Sequence, residues 1–250
     1  MRPNNAAALG SRAEFASRLR VSMARSPDEV KEAQRLRHRV FVEEMGARAG
    51  APGSLERDRF DPFCRHLIVR DRATGEVVGT YRILAPDRAA ALGGFMCERE
   101  FDLARLASLR ERIVEVGRAC IDVDYRCGSI IMLLWSGLAA YAQARGLSYL
   151  FGCVSVGWDE RGFDAQAMYE RLAERHLAPP EYRVFPRSEP PRREGGSTSI
   201  PPLLKGYLRA GAWVCGEPAW DAEFGTADLP VLLSLERVES RYARHFLQAV

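Results

Sequence analysis

Residues 66–84 read HLIVRDRATGEVVGTYRIL, and this stretch decides the fold class of the 250-residue chain. Two apolar runs rich in β-branched residues flank Thr74-Gly75, a pair typical of a tight turn. The stretch therefore predicts a β-hairpin of residues 66–70 and 77–84. Working outward, the apolar periodicities predict helices over 26–46, 98–110, 129–145, 164–176 and 203–213, and strands over 112–121, 149–154, 182–186 and 231–235.

Strands and helices interleave along the chain, which favours an α/β fold with a mixed sheet flanked by helices. The first helix has a clear start, because Ser26 is a good N-cap, Pro27 suits the first helical position and Glu29 completes a capping box. Five prolines and two glycines in residues 186–202 predict a loop or lid, or a plain linker. We expect a basic arm over residues 1–25 and one domain over 26–250.

Composition is that of a globular protein, with 47% hydrophobic and 28% charged residues. No apolar run reaches the roughly 20 residues that a membrane-spanning helix needs, and the first residues lack the apolar stretch of a signal peptide. We therefore expect a cytoplasmic protein. The six cysteines form no C-x-x-C pair and the four histidines no cluster, so we expect reduced thiols and no metal site.

The net charge of +3 comes from the N-terminus, where residues 1–25 hold five Arg and one Glu. Such an arm is either simply solvated or touches an acidic partner or a membrane surface. We expect no nucleic-acid partner and allow a peripheral contact with the inner face of the membrane.

Several charged side chains are candidates for a catalytic or substrate-binding role. Glu115 and Arg118 interrupt an apolar strand, where charges are costly unless paired, and alternation places them on opposite faces. Either a structural ion pair or a catalytic role would explain them. A cluster of three carboxylates is formed by Glu56, Asp58 and Asp61. It is either a solvated surface or a site for a cationic substrate.

Arg37 and Phe41 lie four residues apart on the first helix and offer an anion contact beside an apolar wall. The alternative is a core Phe41 with Arg37 extending to solvent. Arg82, near the end of the hairpin, has the same two interpretations.

The spacing of these residues resembles the signature of acyl-homoserine-lactone synthases. The matching elements, in chain order, are Arg37-x-x-x-Phe41, Glu56-x-Asp58-x-x-Asp61, the Arg of GTYRIL (residues 79–84) and Glu115-x-x-Arg118. That resemblance implies the acetyltransferase-like (GNAT) fold and transfer of a fatty acyl group from acyl carrier protein to an amine. The chain departs from that family in lacking a Trp between Phe41 and Glu56 and in its long C-terminal block.

From about residue 26 onward the chain is more similar to the bacterial ornithine-lipid N-acyltransferases, also called hemolysin-like. The segments that carry this similarity read RHRVFVEEMG (residues 37–46), DYRCG (124–128) and IPPLLKGYLR (200–209). The resemblance implies a GNAT-like fold with a C-terminal extension, and transfer of a 3-hydroxyacyl group to the α-amine of ornithine. It implies no bound cofactor.

The donor is expected to be an acyl carrier protein thioester. CoA-dependent acetyltransferases carry an Arg/Gln-x-x-Gly-x-Gly/Ala loop that binds pyrophosphate at a helix N-terminus. Here Arg126 is followed by Ser129 and Ile131 at the two small-residue positions, a poor match that favours a carrier protein over free CoA.

Within that function, the amine needs a base, for which Glu115 or Glu56 is the candidate. Asp58 and Asp61 suit an ammonium group of the acceptor, and Arg37, Arg82 or Arg118 its carboxylate. The alternative functions are an N-acyl amino acid synthase with another acceptor, a lactone-type signal synthase, and a non-catalytic acyl-carrier-binding module.

Overall fold

The computed structural model describes residues 12–47, 54–126, 128–157, 164–191 and 196–238. Within these ranges the chain forms two compact units. The first unit contains residues up to 83 together with 117–141, and the second contains 84–116 and 142–238.

The helices and strands alternate along the chain, with short 3-10 turns between them. In chain order they are α1 (Arg12–Arg18), β1 (Leu19–Met23), α2 (Pro27–Arg37), a π-helix (His38–Glu44), β2 (Arg65–Asp71), β3 (Val77–Leu84), α3 (Pro86–Ala91), β4 (Phe101–Asp102), β5 (Ile113–Ile121), α4 (Gly128–Ala144), β6 (Tyr149–Gly157), α5 (Ala165–His176), β7 (Phe185–Pro186), α6 (Pro202–Arg209), β8 (Trp213–Val214), β9 (Ala219–Asp221) and β10 (Thr226–Ser234).

The first unit contains the predicted hairpin, formed by β2 and β3 in antiparallel register. β1 pairs antiparallel with the outer side of β2, and the end of β5 follows β3 in the strand order. The alternation of the hairpin residues explains its two faces. Gly79 faces α4, where an added Cβ would lie 2.8 Å from the Ile130 side chain, whereas Ile68 packs in an apolar cluster with Leu36 of α2. Because directly opposed residues of an antiparallel pair share a face, His66 and Arg82 project to the side of α2.

α2 begins as the capping signals predict. The Ser26 side chain accepts a hydrogen bond from the Glu29 N–H at 3.3 Å, and Glu29 accepts one from the Arg25 N–H at 2.6 Å. The α-helix ends at Arg37, nine residues before the predicted end, and continues as a seven-residue π-helix. A π-helix shifts its backbone hydrogen bonds to i−5 partners, as between the Met45 N–H and the Val40 carbonyl at 3.1 Å.

The second unit is built on a mixed sheet with strand order β5-β6-β10-β8. The start of β5 pairs parallel with β6 at three positions, the last of them Glu115 with Phe151. β6 and β10 pair antiparallel over nine positions, so the C-terminal block completes this sheet. The prediction of an α/β fold with a mixed sheet and flanking helices is confirmed.

Some predicted elements differ from those observed. Residues 98–110 form 3-10 turns (Met96–Arg99 and Ala104–Arg112) and the short β4 instead of an α-helix. Of the strand predicted over 182–186, only the two-residue β7 is a strand; Tyr182 ends a 3-10 turn (Pro180–Tyr182), and residues 183–184 are irregular. These segments are apolar at irregular spacing, and tertiary contacts decide their backbone. The sequence also predicts a short helix after the strand 231–235, and residues 239–250 of that segment lie outside the described residues.

The N-terminal boundary also differs. We predicted a basic arm over residues 1–25, but residues 12–23 form α1 and an edge strand of the first unit, tied to it by the Arg18–Asp71 ion pair at 2.6 Å. Residues 1–11 lie outside the description, as do 192–195 of the predicted loop or lid. A single domain over 26–250 stays a prediction. None of the described helices has the length and apolarity needed to cross a membrane.

Candidate active site

The first unit contains a buried network of arginines and carboxylates on the α2 side of the hairpin. Arg37, the last residue of α2, is fully buried. Its Nε lies 2.5 Å from Glu56 Oε2, and its Nη2 donates to Asp61 Oδ1 at 2.6 Å and to the Glu56 carbonyl at 2.5 Å. Arg37 therefore does not extend to solvent, and it joins a helix end to two positions of the following loop.

Arg82 of β3 binds the same loop from the hairpin. Its Nη1 donates to Asp61 Oδ2 at 2.8 Å and lies 2.8 Å from Asp58 Oδ2. The Asp58 N–H in turn donates to Asp61 Oδ2 at 3.1 Å, which closes the turn between the two aspartates. The sequence spacing Asp58-x-x-Asp61 thus corresponds to one turn whose carboxylates share an arginine.

Arg118 of β5 completes the network at its accessible edge. Its Nε donates to Glu56 Oε1 at 3.1 Å and its Nη2 to Asp58 Oδ2 at 3.4 Å. The side chains of Arg118 and Asp58 are 21% and 13% exposed, whereas those of Arg37, Glu56, Asp61 and Arg82 are at most 5% exposed. A ligand from solvent would meet Arg118 and Asp58 first.

The network is balanced in charge, since three guanidinium groups face three carboxylates. Burial alone would raise the pKa of Asp61, but Arg37 and Arg82 outweigh it and hold that pKa well below its usual range. Burial would lower the pKa of Arg82, and the carboxylates of Asp58 and Asp61 raise it instead. Each charge is buried because its partners are present, so removing one leaves a buried charge uncompensated.

The backbone at Arg118 is unusual. Its φ of +52° lies in the left-handed region, which an arginine rarely adopts. Such strain is found where surrounding contacts hold a functional side chain in place, here the contacts with Glu56 and Asp58. The regular alternation of β5 is interrupted there, so Arg118 cannot be placed by counting faces along the strand.

Glu115 lies in the second unit and has different partners. Its two oxygens accept hydrogen bonds from the Met96 N–H at 2.6 Å and the Cys97 N–H at 2.8 Å, and the residue is 2% exposed. Its carboxylate therefore fixes the 3-10 turn that starts at Met96. The catalytic role of Glu115, like that of Glu56, stays a prediction.

Phe41 follows Arg37 in chain order but falls in the π-helix. It is half-buried and packs against an apolar cluster that includes Ala33, Val40 and Ile68. Arg37 instead points into the ion network. The substrate contact predicted for Phe41 stays a prediction.

Two members of the network were missed by the sequence analysis. The buried Gln34 donates from Nε2 to Asp61 Oδ1 at 3.0 Å, and its carbonyl accepts the Glu56 N–H at 3.1 Å. The Nε2 atom of His66 lies 3.8 Å from the same Asp61 Oδ1. The available signals were a polar residue three positions before Arg37 on α2, and the hairpin register that sets His66 opposite Arg82.

The absence of a metal site also stays a prediction. In the second unit, Glu100, Cys153 and Asp228 have potential ligand atoms within 4.8 Å of one another. Asp228 also accepts a hydrogen bond from the Thr226 hydroxyl at 2.9 Å. Three such side chains are not by themselves a metal centre. The five cysteines of the described residues are free thiols, as expected.

Comparison with known proteins agrees with this architecture. The family model of the acetyltransferase (GNAT) domain matches residues 36–136. An L-ornithine N(alpha)-acyltransferase of Rhodobacter capsulatus is 36% identical, with 92% of this chain and 95% of the relative covered. The enzyme of the same name from Brucella abortus is 34% identical, with 91% and 88% covered.

Among solved structures, the acyl-homoserine-lactone synthase LasI aligns with a TM-score of 0.56 at 14% identity, covering 93% of this chain and 96% of LasI. At that identity the likeness concerns the fold alone. The two curated relatives, in contrast, are 36% and 34% identical over more than nine tenths of this chain. By this measure the chain belongs to the L-ornithine N(alpha)-acyltransferase family of GNAT-fold acyltransferases.

Proposed function

We propose that this enzyme transfers a 3-hydroxy fatty acyl group from acyl carrier protein to the α-amine of ornithine, which gives lyso-ornithine lipid. The names of its relatives support ornithine as the acceptor. The structural observation that carries the proposal is the accessible edge of the network, where Asp58 and Arg118 present opposite charges side by side. An amino acid with a second amine offers a carboxylate and an ammonium to such a pair.

In this proposal Arg118 binds the α-carboxylate and Asp58 the side-chain ammonium of ornithine. Both contacts use groups that solvent reaches, and the 3.4 Å contact between them is loose enough to be exchanged for substrate. The buried part of the network, formed by Arg37, Asp61 and Arg82, then keeps these two side chains in position. This divides five of the six predicted binding residues into substrate contacts and supports, and leaves Phe41 unassigned.

The chemical step joins an amine to a thioester. The α-ammonium must lose a proton before its nitrogen attacks the thioester carbonyl carbon, and hydrogen-bond donors must stabilise the resulting oxyanion. The C–S bond then breaks, the sulfur leaves as the thiol of the carrier, and an amide remains. We propose Glu115 or Glu56 as the base, acting through water; Glu115 accepts two backbone hydrogen bonds and Glu56 contacts two guanidinium groups.

A carrier-protein donor is supported by the contacts that the Arg126 side chain makes. This is the basic residue at the position of the pyrophosphate loop of CoA-dependent enzymes. Its guanidinium binds Glu44 of the π-helix at 2.6 Å and the Ile121 carbonyl at 3.3 Å, so it is already engaged. Acyl carrier protein is then the partner and its acyl thioester the donor substrate, with no bound cofactor.

The test is an assay of the purified chain with 3-hydroxyacyl carrier protein and ornithine. We expect free thiol together with a 3-hydroxyacyl ornithine detected by mass spectrometry. Equal or faster turnover of acetyl-CoA would contradict the donor, and faster turnover of another amine in a panel of amino acids would contradict the acceptor. Carrier-protein binding without thiol release would leave a non-catalytic module.

Variants separate the proposed roles. Glu115→Gln should lower kcat by roughly 100-fold or more, the loss expected for a general base. Asp58→Asn should mainly raise the KM for ornithine, because it removes a ground-state contact. Glu111→Gln is the matched control, since Glu111 is exposed in the turn before the same strand. Near-normal kcat in folded Glu115→Gln would make Glu115 structural and leave Glu56 as the candidate base.

A further inference from the structure

His66 is the second residue of β2 and is 2% exposed. Its ring lies on the α2 side of the hairpin, directly opposite Arg82 in the register. Nε2 is 3.4 Å from the Asp61 carbonyl oxygen and 3.8 Å from Asp61 Oδ1. The imidazole is therefore in contact with the aspartate that binds both Arg37 and Arg82.

The hydrogen bonds of this ring define its tautomer. A neutral imidazole has one N–H donor and one lone-pair acceptor. The neighbour of Nε2 is a carbonyl oxygen, which only accepts, so the proton belongs on Nε2. Nδ1 is buried and has no hydrogen-bond partner among the described residues. A second proton on Nδ1 would thus be a buried donor without an acceptor, which is unfavourable.

Burial and the charged groups around the ring also favour the neutral form of His66. Burial lowers the pKa of His66, and Arg37 lowers it further, while the Asp61 carboxylate opposes both and Arg82 adds to them. These charged groups come from α2, from the turn at Asp61 and from β3. Because the ion network is already balanced, a charged His66 would add an uncompensated positive charge to it.

We propose that neutral His66 is a positioning residue of the acceptor site, which holds the Asp58–Asp61 turn through Asp61 and releases it when the ring is protonated. An imidazolium would compete with Arg37 for Asp61 Oδ1, now 2.6 Å from Arg37 and 3.8 Å from His66. A shift of Asp61 would loosen Asp58, the proposed ammonium contact. The role in substrate binding rests on the proposed function, whereas the coupling of His66 to the turn does not.

The first experiment is independent of activity. Urea unfolding of wild type, His66→Gln and His38→Gln is compared between about pH 7.5 and about pH 5.5. His38 is the matched control because it contacts the half-exposed Glu43 outside the network. The unfolded chain binds the proton first, so the unfolding constant of wild type should rise by up to about tenfold per pH unit below about 6.5. His66→Gln should lack that rise, and His38→Gln should keep it.

The second experiment measures the KM for ornithine and kcat over the same pH range. In wild type the KM should rise at the acid end of this range, below the pH at which the unfolding constant starts to rise, because the folded ring takes up its proton after the unfolded one; kcat should change little, and in His66→Gln the KM should follow only the titration of ornithine itself. NMR of 15N-labelled histidine in wild type should show a neutral ring protonated at Nε2 at neutral pH, which needs no variant to fold.

A charged His66 at neutral pH, or parallel unfolding and KM profiles in wild type and His66→Gln, would overturn the proposal. A wild-type chain without acyl transfer would overturn the proposed function instead, and unfolding and NMR would still decide the coupling of His66 to the turn.

Discussion

Asp61→Asn is the most direct perturbation of the ion network. Asp61 accepts hydrogen bonds from Arg37 at 2.6 Å, Arg82 at 2.8 Å, Gln34 at 3.0 Å and the Asp58 N–H at 3.1 Å. Asparagine keeps the shape but replaces one acceptor oxygen with a donor, so at least one of these contacts becomes repulsive. It also changes the charge of the network from balanced to +1, with two buried arginines sharing the loss.

The magnitude follows from burial, because the side chain is only 5% exposed and water cannot replace the lost charge. Breaking a buried ion pair by removing one partner costs about 3–5 kcal/mol of unfolding free energy. For a chain of this size, each kcal/mol lowers Tm by about 2–4 °C, so we expect a decrease of about 6–20 °C.

Urea unfolding at neutral pH is the assay, with Asp87→Asn as the matched control. The Asp87 side chain is 58% exposed and also contacts an arginine, Arg145 at 3.4 Å, so the same substitution should cost less than about 0.5 kcal/mol there. Adding Arg82→Met to Asp61→Asn restores the charge balance, and the double variant should lose less than the sum of the two single losses. A loss below about 1 kcal/mol for Asp61→Asn would refute the view that buried charge balance holds this site together.

The loss of stability in acid tests the same Asp61 carboxylate. The pKa of Asp61 is lowered in the folded state, so the unfolded chain takes up its proton first as the pH falls. Its stabilisation is therefore complete above about pH 4 and is lost progressively below that value. Wild type should lose stability more steeply than Asp61→Asn below about pH 4, and parallel curves would contradict the shift.

Two further substitutions test the packing of each unit. Gly152→Ala in β6 should destabilise by about 1–3 kcal/mol or more, because its Cβ would lie 2.2 Å from the Val116 carbonyl oxygen, whereas Gly128→Ala, with open space around it, should be nearly neutral; equal unfolding midpoints would contradict this. Arg18→Ala should lower the unfolding midpoint, since it removes the arginine partner of the buried Asp71 carboxylate, and an unchanged denaturation curve would show that this ion pair does not hold residues 12–23 on the first unit.

The sequence alone determined the parts of the fold that local chemistry controls. The β2–β3 hairpin follows from two apolar runs around Thr74-Gly75, and the start of α2 from the Ser26 cap, because turns and caps depend on residues close in sequence. The chain order of Arg37, Glu56, Asp58 and the other charged positions was also sufficient to indicate the acyltransferase family. Residue types and spacing carry that information without coordinates.

Only the tertiary structure decided which charged side chains meet. Arg118 joins Glu56 across 62 positions of the sequence and does so from a left-handed backbone that strand alternation does not describe. Glu115, three residues earlier, belongs to the second unit and accepts hydrogen bonds from backbone N–H groups of that same unit. Gln34 and His66 reach the network only because α2 packs on the hairpin. Such contacts depend on long-range packing and on the need of every buried charge for a partner, which a local pattern does not encode.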